Sequence, residues 1–417
     1  MLYEGWVFVK HDIVKKTLDN GLRTVFVKNN NNKVVIVVSV GVGLSHENPE
    51  ITGVSHFLEH VLWKGSNSKN GKEIRDAVRK MNGEYNAFTS FGMTTYYIAV
   101  PRKHFDEALE LLSSVITRPG FDEEEINKEK RVILNELTRF NDNPFFNLDH
   151  RAREELFKGN MIGLNIGGSN ETVKKINKEM LEQHYGKYYT SNNMVVAVNG
   201  NIKDPIEKIQ KLFNLQPKFI PEPKNFEQKS TFPIEIVEQT NTSASYVELA
   251  FQTVGFNSKE SDALELIREM LDEGKELNLM EEIRYKYGLT YHVHLINHNL
   301  KETGIFVIGL STEKTKTEES IQLIKNQLQK IQNVTKQELE NSKKRLLKMH
   351  KVIMNDKDQQ FHTQVIANCE LNNNWNDYTE HDKKIKTITT EEIKNTAKQY
   401  LENNYVQVTL KQKEGEL

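Results

Sequence analysis

The sequence runs through one order of elements twice, on either side of a proline-rich middle, and that repeat limits the chain to two copies of one domain plan. Four of the nine prolines, Pro217, Pro221, Pro223 and Pro233, fall within QPKFIPEPKNFEQKSTFP. Such a stretch reads as an extended linker. The expected partition is an N-terminal domain over 1–215, a linker over 216–233 and a C-terminal domain over 234–417. The first half opens with a hairpin turned at Asp19–Gly21, followed by the apolar strand KVVIVVSVGVG. A helix containing HFLEH comes next, then the strand pair EYNAFTSFGMTTYYIAVP and two amphipathic helices, KHFDEALELLSSVITRPG and DEEEINKEKRVILNELTRF. The second half answers with SASYVELAFQTVGF, the helix DALELIREMLDEG, the strands GLTYHVHLINHNL and GIFVIGLST, and the helices EESIQLIKNQLQKI and TKQELENSKKRLLKMHKVIM. Strands joined as hairpins and interspersed with helices predict an α+β fold. Two homologous domains are expected, each a mainly antiparallel sheet packed with helices.

What the two halves do not share is as informative as what they do. With the early helices superposed at Gly65 and Gly274, His56 falls on Glu265, Glu59 on Arg268 and His60 on Glu269. With the fourth helices superposed at Ile126 and Leu339, Glu129 falls on Ser342 and Glu136 on Met349. The apolar positions largely match, while the His/Glu set occurs once. A set required by the fold would recur in both copies, so its single occurrence marks a site.

In GVSHFLEHVLWKG, His56, Glu59 and His60 share one face of a 3.6-residue helix. Two imidazoles from adjacent turns can bind one ion, but catalytic zinc takes three protein ligands and keeps one position for water. The best third ligand is Glu136, on the same helix face as Glu129 two turns earlier, with Val132 and Ile133 expected to seat that helix in the core. One carboxylate of the pair could bind the metal while the other orients a ligand histidine. Glu59 is then available for chemistry. A carboxylate beside zinc-activated water can take its proton and later hand it to a leaving amine. The plainer reading of the segment, a helix with satisfied polar residues, leaves the single occurrence unexplained.

Composition narrows the alternatives. One cysteine, Cys369, rules out an intrachain disulfide and a cysteine-built metal site, so the ligands must be His, Asp or Glu. A formal net charge of −2 gives no electrostatic reason to bind nucleic acid. The sequence shows no signal-peptide pattern at MLYEGWVFVKHDIVKK and no run long and apolar enough for a membrane span. A cytoplasmic setting is expected, and a mitochondrial matrix protein after removal of its transit peptide would look similar. His292, His294 and His298 lack a carboxylate companion in sequence and are expected to be surface or cleft-wall residues.

The motif H-x-x-E-H, together with GVSHFLEHVLWKGS, MNGEYNAFTSFGMTTYY and EEINKEKRVILNEL, resembles the pitrilysin and mitochondrial processing peptidase family of inverted zinc-helix peptidases, in its short-chain, processing protease-like branch. The resemblance covers nearly the whole chain. It implies His56, His60 and Glu136 as ligands of one zinc ion per chain, Glu59 as general base and Glu129 as the carboxylate behind a ligand histidine. Asn86 and Ala87 match the strand on which relatives receive the substrate peptide by main-chain pairing. Asn82 stands before Gly83 where the family often has a glycine pair. EEIRYKYGLTYHV implies that Arg284 and Tyr291 contact substrate or polarise the scissile carbonyl.

The leading expectation is a zinc endopeptidase acting on short or unfolded peptides, paired as a homodimer or as a heterodimer with a homologous subunit. A non-catalytic structural or partner subunit of the same family is the alternative, although such members usually lose part of the metal set. A metal-binding module without hydrolysis gives no role to Glu59.

Overall fold

The computed structural model describes residues 12–223, 232–352 and 359–413. The N-terminal stretch read for a leader lies largely outside these residues, as does part of the 216–233 linker. Within that linker, 216–223 form neither helix nor strand. Two compact units result, and neither is continuous in sequence. The first draws on Met1–Leu134, Ile166–Pro223 and His350–Tyr378, the second on Asn135–Asn165, Lys224–Met349 and Thr379–Leu417.

The first unit is built on a six-stranded sheet ordered β1-β2-β8-β3-β7-β6. Its strands are β1 (Asp12–Thr17), β2 (Arg23–Lys28), β3 (Lys33–Val40), β6 (Glu84–Thr89), β7 (Thr94–Pro101) and β8 (Met194–Gly200). The expected β1–β2 hairpin forms, with Gly21 at φ +81 in its turn. Only β2 and β8 run parallel; the other neighbours are antiparallel. β3 carries no alternation of polar residues because it is covered on both faces: Val34 to Val38 and Val40 are all fully buried. One face receives α1 (Val54–Leu62) and α3 (Phe105–Thr117), and α7 (Lys178–Tyr188) packs on α1. On the other face Val25, Val27, Val35, Val37, Val195 and Ala197 meet Ile366 and Ala367 of α12 (Gln359–Leu371). Fully burying one such aliphatic side chain is worth roughly 1.5–3 kcal/mol, so covering the second face is a major part of this unit's stability. Gln359 anchors α12 by donating to the backbone carbonyls of Lys33 and Asn199 at 3.1 and 2.8 Å.

A two-residue ladder, β4 (Gly65–Ser66) with β5 (Lys69–Asn70), leads into α2 (Gly71–Lys80). That helix starts on a capping box of Asn70 and Glu73. At its end Asn82 takes φ +50, a left-handed conformation that asparagine tolerates better than most residues. The unit also holds α6 (Asn170–Lys175), α8 (Ile206–Leu212) and α4 (Glu123–Asp142), which belongs to it through Leu134 and continues unbroken. Ile126, Ile133 and Leu137 seat α4. The sequence reading gave Val132 a share in that, but Val132 is 47% exposed, because one residue from Ile133 turns the helix about 100° away from the core.

The second unit has a five-stranded sheet ordered β11-β12-β10-β13-β9. Its strands are β9 (Ile234–Thr240), β10 (Ser245–Val254), β11 (Val293–Asn299), β12 (Thr303–Thr312) and β13 (Tyr405–Gln412). Again one pair, β9 with β13, is parallel and the rest are antiparallel. Read as β9-β13-β10-β12-β11, this reproduces β2-β8-β3-β7-β6 in order and direction. The duplication seen in the sequence is therefore a duplication of topology. Val247, Leu249, Phe251, Phe306, Ile308 and Leu310 face a core shared with α9 (Ser261–Glu273), α10 (Thr317–Lys330), α11 (Lys336–Val352) and α14 (Thr390–Tyr400). The opposite face, with Ala250, Val307, Val406 and Val408, is covered by Leu148, Ala152 and Leu156 of α5 (Pro144–Leu156). The helix before α14, α13 (Trp375–Thr387), enters this unit from Thr379 onward.

The units thus differ from a cut between 1–215 and 234–417. α5, from the first half of the sequence, packs on β10 and β13, and α12, from the second half, packs on β2, β3 and β8. Each sheet needs a second helical cover, and each receives it from the other half of the chain.

Candidate metal centre

α1 is a short helix with a heavy apolar load, and its start is held by a carboxylate. Gly53 sits at φ +91, and the backbone N–H groups of Gly53 and Ser55 donate to Glu47 at 2.7 and 2.8 Å. Val54, Phe57, Leu58, Val61 and Leu62 are buried, which fixes the rotation of the helix about its axis. The remaining face presents His56, Glu59 and His60. The two imidazoles meet edge to face with ring centroids 4.7 Å apart. Burial, with a further contribution from His60, drops the His56 imidazole to about 3, so it stays neutral and keeps a lone pair for a metal.

α4 supplies the carboxylates. The Nδ1 of His60 lies 3.1 Å from Glu129 Oε2, and the other Glu129 oxygen receives Lys64 Nζ at 2.7 Å. Burial alone would push Glu129 up, but the hydrogen bonds from His60 and Lys64 outweigh it and hold the group below the ordinary carboxylate value. Bonding at Nδ1 turns the other ring nitrogen of His60 outward. Two turns along α4, Glu136 brings a carboxylate oxygen to the histidines: one ligand atom from each of His56, His60 and Glu136 lies within 4.8 Å of the others. Ligands around a tetrahedral zinc sit roughly 3.3 Å apart, so side-chain adjustments of about an ångström would close the set on an ion. Two imidazoles and one carboxylate are a donor set suited to zinc, and Cys369, on α12, takes no part.

Glu59 is 8% exposed and is held by a residue the sequence reading did not single out: Thr89 Oγ1 donates to Glu59 Oε2 at 2.6 Å. The two-residue period of β6 puts Thr89 on the same face as Ala87, but nothing in the sequence ties that hydroxyl to Glu59. Lys64, the partner of Glu129, was missed as well; it sits one helical turn after His60. β6 is the outermost strand of its sheet, and Asn86 is exposed there with its side-chain oxygen accepting from the Ala87 backbone N–H at 2.9 Å.

Arg284 and Tyr291 lie in the second unit. Arg284 belongs to a π-helical turn, Met280–Lys286, and its guanidinium stands 4.4 Å from the centre of the Tyr291 ring. Tyr291 was read as a strand residue, but β11 begins only at Val293, and Tyr291 is 79% exposed in the loop before it. Gly288, at φ +66, ends the turn and prevents the strand from starting earlier. The loop borders a cleft of about 360 Å³ lined by Tyr287, Leu289, Thr290, Tyr291, Ser311 and Glu313. Of the three histidines expected at the surface or on a cleft wall, His292 and His298 are exposed, and His294 is half-buried against Phe145, with its Nε2 3.6 Å from the fully buried Glu248. It fits there because Gly309, its cross-strand neighbour, has no side chain.

A duplicated α+β fold with the His56, Glu59, His60 and Glu136 constellation in its first copy defines a class of metallopeptidase-like proteins. Residues 23–168 match the family described as insulinase, peptidase family M16, and residues 175–346 match the peptidase M16 inactive domain. The chain belongs to peptidase family M16, a family of zinc proteases. It is 29% identical over 338 residues to a Bacillus subtilis protein named an uncharacterized zinc protease, covering 80% of this chain and 82% of that one. Similarity to a probable mitochondrial-processing peptidase subunit beta of Arabidopsis thaliana is 28% over 311 residues, with 70% of this chain and 57% of that protein covered. The fold matches the crystal structure of a protease from Helicobacter pylori at a TM-score of 0.87 and 22% identity, over 96% of this chain and all of the other. Among the described residues, no helix is long and apolar enough to cross a membrane.

Proposed function

We propose that this chain is a zinc-dependent endopeptidase acting on short or unfolded peptides, with one catalytic ion held by His56, His60 and Glu136. The observation that carries the reading is the meeting of these three ligand atoms from two helices far apart in sequence, with Glu59 on the same helical turn. A bound zinc ion supplies Lewis acidity that brings the pKa of water to about 7. Glu59 would take a proton from the attacking water and return it to the leaving amine, and Thr89 holds one of its carboxylate oxygens in place. Glu129 holds His60 in the orientation binding requires. The edge strand β6, with Asn86 and Ala87, receives the peptide by main-chain pairing. The 234–417 copy, which lacks the histidine set, contributes Arg284 and Tyr291 as substrate contacts.

The name of the Arabidopsis relative, a subunit beta, supports assembly with a second chain, as a homodimer or with a homologous subunit. The single cysteine is in keeping with a reducing, cytoplasmic setting. The test is zinc content by metal analysis together with cleavage of a quenched peptide library. Glu59→Gln is expected to keep its zinc and lose cleavage by a factor on the order of 10²–10⁴. Unchanged cleavage in that variant would assign the activity elsewhere. A zinc-loaded wild type that cleaves nothing would favour the partner-subunit reading.

A further inference from the structure

The second copy gathers its own set of metal-ligand residues, at a place the duplication makes meaningful. Glu265 of α9, His350 in the last turn of α11 and His381 of α13 each bring one ligand atom within 4.8 Å of the other two. Among the described residues, this and the His56, His60, Glu136 group are the two such sets. Glu265 is the residue that superposes on His56, and His350 directly follows Met349, which superposes on Glu136. The two sets therefore use the corresponding ends of corresponding helices, with histidine and glutamate exchanged and the third ligand taken from a different helix.

The surroundings of His381 repeat the logic seen at His60. Its Nδ1 lies 3.1 Å from Oδ1 of Asp262, a buried carboxylate one turn before Glu265 on α9, and this turns Nε2 toward Glu265 Oε2 at 3.4 Å. A carboxylate behind the inner nitrogen of a histidine fixes ring orientation and strengthens the outer nitrogen as a ligand. The His381 and Glu265 side chains are only 13% and 27% exposed, so a cation there would be largely shielded from water.

We infer that the second copy binds a divalent cation of the zinc class at Glu265, His350 and His381, separately from the first-copy set. Its role is structural. The position matching Glu59 is Arg268, which pairs with Asp272 at 3.0 Å, and the position matching His60 is Glu269, which receives Arg345 at 2.9 Å. With an arginine in place of the Glu59 base, the second set ties α9, α11 and α13 together without hydrolytic chemistry.

The test is metal stoichiometry on the full chain, stripped with chelator and dialysed against zinc. The wild type is expected to hold two ions per chain. His56→Asn with His60→Asn is expected to hold one and still gain thermal stability when zinc is added. His381→Asn, or independently His350→Asn, is expected to hold one ion and retain the wild-type zinc affinity of the first set. Cobalt substitution gives a second readout, since a His60 variant should still show the visible bands of a four-coordinate cobalt ion. One ion in the wild type, with none in the folded His56/His60 variant, would overturn the inference. In that case His381 serves only to link the Asp262 and Glu265 side chains. The result is independent of peptide cleavage, so failure here leaves the proposed activity untouched.

Discussion

Replacing Glu129 with glutamine isolates what the carboxylate behind His60 contributes. The substitution keeps the size of the side chain and removes the charge that His60 Nδ1 and Lys64 Nζ share at 3.1 and 2.7 Å. Two effects compete. Loss of the ion pair with Lys64 acts on stability, but the Lys64 side chain is 28% exposed and can turn to water, so the loss is under about 1 kcal/mol. Loss of the charge on the acceptor behind His60 acts on metal binding, where such partners are worth roughly 10–100-fold, or about 1.4–2.7 kcal/mol, since a glutamine amide oxygen is a weaker acceptor than a carboxylate. The metal effect is thus the larger. The expected result is zinc affinity weakened 10–100-fold by chelator competition, with the melting temperature of metal-free protein little changed. Lys64→Gln is the control, since it touches only the far oxygen of Glu129 and should change zinc affinity less than Glu129→Gln does. Glu129→Gln with unchanged affinity would show that His60 is held by its helix alone, and the assigned role of Glu129 would be wrong.

Two further outcomes are expected. Burial, followed by the nearby charges of His46 and Lys187, drops the His184 imidazole to about 3, and its Nε2 lies 2.9 Å from Ser55 Oγ. The folded state therefore binds fewer protons than the unfolded chain between that value and the ordinary 6.5. Stability should fall as pH drops through this window, by up to about 1.4 kcal/mol per pH unit, and His184→Asn should flatten the slope in urea melts at stepped pH. An unchanged slope would contradict the assignment. Gly309→Ala places a Cβ where the His294 imidazole lies, so it should cost roughly 1–3 kcal/mol, and His294→Ala in the same chain should recover most of it. Additive losses in the double variant would refute that account.

The alternation and length of apolar runs were enough to locate β3, β6, β7, β10 and β12 and the helices after them, because strand and helix periods are local properties. His56, Glu59 and His60 were legible for the same reason: a helix makes their spacing into a face. Glu136 was legible once the second helix had to bring a carboxylate. Thr89 was not, because a hydroxyl on an edge strand has no distinguishing neighbour in sequence. The orientation of Val132 failed on a matter of 100° of helix rotation that only packing decides. Tyr291 was assigned to a strand because GLTYHV is apolar and β-branched, while the π-helical turn and Gly288 displace the strand start. The Glu265, His350 and His381 set stayed hidden because its members sit on three helices, with no short motif to join them. The units themselves differed from a linear cut because α5 and α12 are amphipathic helices whose sequences do not say which sheet they will cover.

That exchange of helices governs the order of events at the ribosome. The strands of the first sheet are complete once Gly200 has been made, yet Val25, Val27, Val35 and Val37 stay uncovered until Gln359–Leu371 emerge much later. A nascent chain halted at the proline-rich stretch would expose a flat apolar sheet face, an invitation to chaperones and to aggregation. The last quarter of the message therefore decides whether the first half becomes a finished protein.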